Sequence, residues 1–333
     1  MTTRADNARR GWRWARVQVP RRAAHLLPGA LLALGLALAG CRQDAPPAAG
    51  RATAAAPGAD TPAGAVQLLT GHLRAGDLSA FARDATPAAL QPALEQAWRD
   101  GGSRWPLSEL PLAPQFPAML AGLAAPQSER TLLVAFNHQF AGAERELRAA
   151  AESLGVFAIQ YLEHDPAVSD GERDHYSQVV TAISLWAHRA PLADRAHAQA
   201  ALALLAPAAR TAGLDSDAAF AEAGMHGSLH RLQPVIVAAK QALLPYGLDL
   251  DAALASVEAT LQTQTGDTAQ VRMRYTLAGQ PIDVLVAVER HDGRWFVSDF
   301  LRNAEAAAAT SAPDPPAAPE PADAPAGPPA AGP

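Results

Sequence analysis

The sequence predicts a mainly helical α+β domain, in which several helices precede a small three-stranded antiparallel β-meander. Apolar residues recur every three or four positions over most of residues 64–263, which is the helical period. After residue 265 the period changes to two, as in a half-buried strand. The dipeptide Asp292-Gly293 then separates two alternating segments, which is a strong hairpin signal. The helical domain is therefore predicted over residues 64–265.

The first helices have clear starts and ends. Val66, Leu69 and Leu73 form the apolar stripe of a helix that Gly76 ends. Thr86, followed by proline, is a typical helix start. Five prolines between residues 106 and 126 exclude a long helix there, apart from a short one near residues 118–124.

Longer helices follow in the middle of the chain. Ser169 and Glu172 match a capping box, and the apolar residues after them continue the helical period. The other helices are predicted over residues 128–163 with an interruption near Gly142, and over residues 193–211, 217–223, 229–244 and 251–263.

The alternating pattern in the last part of the domain predicts strands. Val271, Met273 and Tyr275 alternate with polar residues, and residues 282–288 form a second run. Trp295 continues the pattern after the hairpin turn. The predicted meander occupies residues 266–303 and packs on the preceding helix.

The N-terminus has the charge pattern of an exported protein. Residues 1–40 contain seven arginines and one aspartate, so the rest of the 333-residue chain carries a net charge of −12. Such an acidic remainder excludes a broadly basic nucleic-acid binder. Residues 26–40 are uncharged but shorter than the roughly 20 apolar residues that span a bilayer, as in a signal-peptide core.

The only cysteine lies directly after this apolar run. Leu38, Ala39, Gly40 and Cys41 resemble the lipobox of bacterial lipoproteins. The resemblance implies cleavage before Cys41, attachment of lipid to its sulfur and, because Arg42 follows it, sorting to the outer membrane. A buried cysteine after a short helix is the alternative. Export by the general or the twin-arginine route stays open, as does a later translation start.

Both ends of the folded region are rich in Ala and Pro and lack large apolar side chains. Such segments bury too little surface to offset their ordering entropy. The predicted organisation is a signal peptide at 1–40, a disordered tether at 41–63, the helical domain, the meander, and a disordered tail at 304–333.

Two stretches resemble the nuclear-transport-factor-like (SnoaL-like) cone fold. Residues 65–87 are similar to its opening helices and residues 269–300 to its closing hairpins. The resemblance implies that the helices between them are a large insertion. It carries over no catalytic residue, because a fold does not determine a function.

An acidic, histidine-bearing connection is one candidate polar site. Glu163, His164 and Asp165 lie on one side of Pro166. The other side carries Asp170, Glu172, Asp174 and His175. Oxygen-rich loops bind divalent cations, but this one lacks the spacing of a calcium loop. A solvated loop between helices is the alternative.

His226 and His230 form a second candidate, because residues four apart share one face of a helix. The HExxH motif is absent, and ordinary surface or capping histidines are the alternative. The sequence also lacks GxSxG, SxxK and phosphate-binding glycine motifs. We therefore expect no metal or cofactor.

These observations favour a lipid-anchored outer-membrane protein that faces the periplasm as a non-enzymatic binding or scaffold module. Its expected partners are membrane lipid through acylated Cys41 and an envelope protein or the cell wall, not nucleic acid. Two alternatives stay open. One is a periplasmic hydrolase of glycan or peptide with a cleft beside the loop of residues 163–175. The other is a carrier that holds a lipophilic ligand between its helices.

Overall fold

The computed structural model describes residues 56–110 and 115–310. The predicted signal peptide, the lipid site at Cys41, the tether up to residue 55 and the tail from residue 311 lie outside these residues. None of the described helices combines the length and the apolar character needed to cross a membrane.

The described residues confirm the predicted fold class, with helices followed by an antiparallel meander and one closing helix. The helices are α1 (Pro62–Ala75), α2 (Leu78–Asp84), α3 (Gln91–Arg99), α4 (Phe116–Ala124), α5 (Ser128–Gln139), α6 (Glu144–His164), α7 (Asp170–Arg189), α8 (Arg195–Ala212), α9 (Asp217–Leu243), α10 (Leu250–Ala255) and α11 (Ser298–Ala309). The strands are β1 (Glu258–Thr265), β2 (Thr268–Leu277), β3 (Gln280–His291) and β4 (Arg294–Val297).

Local signals in the sequence set several helix boundaries. The capping box is present at the start of α7: Ser169 Oγ accepts a hydrogen bond from Glu172 N at 3.1 Å, and Ser169 N donates to Glu172 Oε2 at 2.9 Å. The predicted interruption between α5 and α6 occurs at Gly142, which has a positive φ of 76°. Gly76 ends α1 in the left-handed conformation, as its position after the stripe predicted.

Helix α9 replaces two predicted helices, with a break at one residue. Gly224 has φ 70° and ψ 178°, which are not helical values. The Glu95 carboxylate of α3 accepts hydrogen bonds from the backbone N–H groups of Met225 and His226, at 2.9 and 3.4 Å. A side chain from another helix thus caps the second half of α9, where the local sequence has no capping residue.

The sheet has one strand more than predicted. Its order is β1-β2-β3-β4, with every neighbouring pair antiparallel. The helix predicted over residues 251–263 is wrong, because α10 ends at Ala255 and β1 follows it. Leu254, Val257 and Leu261 keep the helical period. The threonines of β1 nevertheless favour a strand, and β2 pairs with β1 from Glu258 to Thr265.

The folded part is longer at both ends than the sequence predicted. Ala59, expected in the tether, forms two backbone hydrogen bonds with Trp295 of β4, at 3.0 and 2.8 Å. Helix α11 extends to Ala309, beyond the expected end of the domain at Asn303. Leu301 and Ala308 of α11 are buried on one face, and alanine is the strongest helix former.

Two groups of buried apolar side chains pack the helices against the sheet. The larger group joins α1, α2, α3, α9 and α11 to the β4 side of the sheet, and includes Trp98 and Trp295. The smaller joins α7 and α10 to the other end of the sheet, and includes Ile183 and Ile282. Met273 and Val286 pack against both groups. The candidate site lies at this junction.

Candidate ligand-binding cavity

A cavity of about 180 Å³ lies between the inner face of the sheet and helices α1, α7, α10 and α11. Its walls are mostly apolar, and its acidic side chains come from α7, α11 and the turn before α4. The apolar walls include Leu69, Val179, Ala253, Met273, Val284 and Val286. Leu285 stands opposite Arg272 in the sheet, so its exposed side chain lies on the outer face.

The strand alternation makes this face of the sheet apolar. On β2, Met273 and Tyr275 face the cavity, while Arg272 and Arg274 between them are exposed. On the outer face, Arg272 pairs with Asp283 of β3, with Nε to Oδ1 at 2.7 Å. Successive residues of a strand point to opposite faces, so the charged side chains stay outside the cavity.

Helix α7 is fixed across the sheet by polar contacts. The Gln178 side-chain amide donates to the Asp283 carbonyl at 3.1 Å, and its oxygen accepts from Asp283 N at 3.0 Å. One turn earlier, His175 Nε2 is hydrogen-bonded to the Tyr275 hydroxyl at 2.8 Å. These contacts turn Glu172, His175 and Tyr176 of α7 toward the cavity.

Three carboxylates and one guanidinium meet at the polar end of the cavity. Arg302 donates to Glu172 Oε2 and to Asp299 Oδ1, both at 2.6 Å. Asn303 Nδ2 lies between two glutamates, 3.1 Å from Glu109 Oε2 and 3.4 Å from Glu172 Oε1. We call Glu109, Glu172, Asp299, Arg302 and Asn303 the acidic end.

Glu109 has the weakest set of partners in the acidic end. Burial, together with the charge of Glu172, raises the pKa of Glu109 to about 7, although Asn303 and Arg302 act in the opposite direction. The nearby indole N–H of Trp105 also lowers this pKa, yet that buried N–H completes no hydrogen bond within the described residues. Glu109 is therefore close to half protonated at neutral pH.

The histidine and the two tyrosines that line the cavity are neutral at pH 7. Burial lowers the pKa of His175 to about 4, despite the opposing effect of Asp174 and Asp299. Burial also raises the pKa of Tyr176 and of Tyr275 above the ordinary value. These three side chains consequently offer hydrogen bonds and no charge.

Two residues of the predicted acidic connection line the cavity, namely Glu172 and His175. Glu163 and His164 are exposed at the end of α6, where His164 Nδ1 contacts the Gln160 carbonyl of the same helix at 2.7 Å. Asp165 is half-buried and accepts a hydrogen bond from Ala167 N at 2.9 Å. The structure thus does not bring the predicted loop residues together.

The two histidines of α9 do not line the cavity. His226 contacts Ser79 Oγ through Nδ1 at 3.3 Å and Gln91 Oε1 through Nε2 at 3.1 Å. His230 is exposed one turn later. Within residues 56–110 and 115–310, no group of three or more His, Cys, Asp or Glu side chains is placed to hold a metal ion.

Sequence reasoning missed Glu109 and Asp299 because nothing local distinguishes them. Glu109 follows a proline-rich turn, and Asp299 lies where the third strand was expected to continue. Tyr275 had a usable signal, since it occupies an inward position of the strand alternation and carries a polar group there.

Comparisons with protein-family models, with curated proteins and with solved structures find no match to this chain. The cavity and its acidic end are therefore interpreted from their own geometry.

Proposed function

We propose that this protein is a lipid-anchored binding module of the bacterial envelope that faces the periplasm and holds a small, mainly apolar ligand in the cavity. The cavity between sheet and helices carries this proposal. A pocket with apolar walls and a few polar groups at one end is the usual form of a small-molecule site. The polar end orients the ligand, and the apolar walls supply most of the binding free energy.

The dimensions of the cavity limit the ligand to a small group. An engineered apolar cavity of roughly 150 Å³ binds benzene, so a cavity of about 180 Å³ takes a single ring or a short alkyl chain. The proposal thus develops the alternative of a lipophilic carrier, with the ligand between sheet and helices instead of between helices.

Two features of the sequence support this proposal. The stretches that resemble the cone fold, residues 65–87 and 269–300, contribute α1 and strands β2, β3 and β4, which form much of the cavity wall. The lipobox at Cys41 supplies the proposed membrane anchor. Several acyl chains on one residue would hold the protein durably on a bilayer.

The hydrolase alternative predicts that several side chains of the loop of residues 163–175 converge in one concave pocket. Glu172 and His175 line the cavity, whereas Glu163 and His164 are exposed. The apolar walls that surround these two side chains favour ligand binding over hydrolysis.

Ligand binding is tested with a cavity-filling variant and a matched control on the same helix. Ala253 of α10 lines the cavity, whereas Ala255 is exposed and does not. The full chain carrying Cys41→Ser is used, so that no detergent competes for the cavity. Calorimetric titration with 1-hexanol, hexylamine and hexanoate should show saturable binding of at least one probe, lost in Ala253→Phe and kept in Ala255→Phe. Absence of saturable binding for all three would overturn the proposal.

The anchor is tested separately by labelling cells with an alkyne-tagged fatty acid. The native chain should incorporate the label and require detergent for extraction, whereas Cys41→Ser should do neither. Extraction of the native chain by buffer alone would contradict the anchoring part of the proposal.

A further inference from the structure

The acidic end of the cavity carries more negative than positive groups. Glu109, Glu172 and Asp299 supply three carboxylates, and Arg302 is the one guanidinium of residues 56–110 and 115–310 that contacts them. His175 and Tyr176, which also line this end, are neutral at pH 7. An unbalanced carboxylate inside an apolar cavity is costly unless it takes up a proton or a cation joins it.

The unbalanced group can be identified from the hydrogen bonds. Glu172 is paired with Arg302 and with the backbone of Ser169, and Asp299 is paired with Arg302. By contrast, the hydrogen bond that Glu109 accepts in the described part of the chain comes from the neutral amide of Asn303. Among these three carboxylates, Glu109 is therefore the one that accepts no hydrogen bond from a cationic group of the described residues.

We propose that the ligand of this cavity carries an ammonium group, which binds at the acidic end beside Glu109 while its apolar part occupies the cavity. This inference rests on the proposed binding function and names the chemical class of the ligand. An ammonium group donates up to three hydrogen bonds, which suits several carboxylate oxygens around one point. A carboxylate ligand would meet like charge there, and an alcohol would leave Glu109 unbalanced.

The proposal has a consequence for proton exchange. Glu109 is partly protonated in the empty site at pH 7, because burial and Glu172 disfavour its charged form. A bound ammonium stabilises that charged form, so binding should expel the proton from Glu109. Glu172 and Arg302 also act on the charge of Glu109, and burial raises the pKa of the neighbouring Tyr176 hydroxyl far above neutral pH.

The experiment compares three probes that share a six-carbon chain and differ in their polar group. Hexylamine, 1-hexanol and hexanoate are titrated into the full chain carrying Cys41→Ser at pH 7.5. Hexylamine should bind at least tenfold more tightly than 1-hexanol, and hexanoate should bind more weakly than both. Glu109→Gln should reduce the advantage of hexylamine over 1-hexanol severalfold. The matched variant Glu163→Gln, at an exposed site on α6, should leave it unchanged.

A second measurement needs no substitution. Calorimetry at pH 7 in two buffers of different ionisation enthalpy should show that hexylamine binding releases about half a proton, whereas 1-hexanol binding releases none. Equal affinity of hexylamine and 1-hexanol, without proton release, would overturn this inference and leave the proposed binding function intact. Failure of all three probes to bind would overturn the binding function itself.

Discussion

The imidazole of His175 on α7 and the hydroxyl of Tyr275 on β2 are joined by a hydrogen bond of 2.8 Å. The two residues are 100 positions apart in the chain, and their rings meet nearly edge to face at 5.9 Å. This contact fixes the part of α7 that lines the cavity onto the sheet.

Tyr275→Phe should destabilise the fold by about 1–2 kcal/mol, because it leaves a buried ring nitrogen of His175 without a partner. Urea unfolding followed by circular dichroism measures this loss. The double variant His175→Phe/Tyr275→Phe should recover part of it, since both polar groups are then replaced by apolar ones. Strictly additive losses in the double-mutant cycle would show that the two groups are not coupled.

The protonation of His175 should make the fold less stable in acid. Its pKa is about 4 in the folded chain, compared with an ordinary value of 6.5. Between these values the unfolded chain binds more protons, so the free energy of unfolding rises with pH from about 4 to 6.5. The shift corresponds to at most about 3 kcal/mol. Two-dimensional NMR should show the His175 ring titrating with a midpoint below 5. A midpoint above 6 would contradict its burial.

The titration of Glu109 should change the stability of the fold in the opposite direction, over a higher pH range. Its pKa of about 7 in the folded chain exceeds the ordinary value of 4.5, so the folded chain binds more protons between these values. Stability from this group is therefore lost as pH rises from 4.5 through 7. The free energy of unfolding of Glu109→Gln, taken relative to that of the native chain, should therefore rise by at most about 3 kcal/mol between pH 5 and pH 8.

Comparing each variant with the native chain cancels the contribution of His175. Urea unfolding at the two pH values gives the difference, and Glu163→Gln serves as the control. For that control, the free energy of unfolding relative to the native chain should be the same at both pH values. A flat difference for Glu109→Gln as well would show that its carboxyl is not desolvated in the folded state.

A side chain at position 224 should destabilise the fold. Its positive φ disfavours other residues, and an added Cβ would collide with the Glu95 carboxylate and the Arg99 guanidinium. Gly224→Ala should lower the free energy of unfolding by about 2–3 kcal/mol. Gly227→Ala, in the same helix and with its nearest neighbour at 3.6 Å, should raise it by up to about 1 kcal/mol. Equal effects of the two substitutions in urea unfolding would argue against the break in α9.

The helices were predictable wherever the signal was local. Ser169 and Glu172 lie three residues apart, and the geometry of a helix start brings them together without help from the rest of the chain. The break at Gly224 has a different origin, because the cap of the second half of α9 is Glu95, from another helix. That contact exists only in the folded chain, so no local pattern could reveal it.

Residues 258–265 show where local and tertiary preferences conflict. Their apolar spacing continues a helix, yet the backbone pairs along β2 from Glu258 to Thr265. The hydrogen bonds of that pairing outweigh a helical preference that is weak in a threonine-rich segment.

The sequence by itself determined the class of the fold, most helix boundaries and the inward face of each predicted strand. These depend on the period of apolar residues and on caps within a few positions of each other. Only the tertiary structure decided the site. Glu109, Glu172 and Asp299 come from a turn and two helices that are far apart in the chain, and they face one cavity only after α7 and α11 pack on the sheet. The pKa of Glu109 follows from the same packing, because a carboxyl group is desolvated only when distant segments close around it.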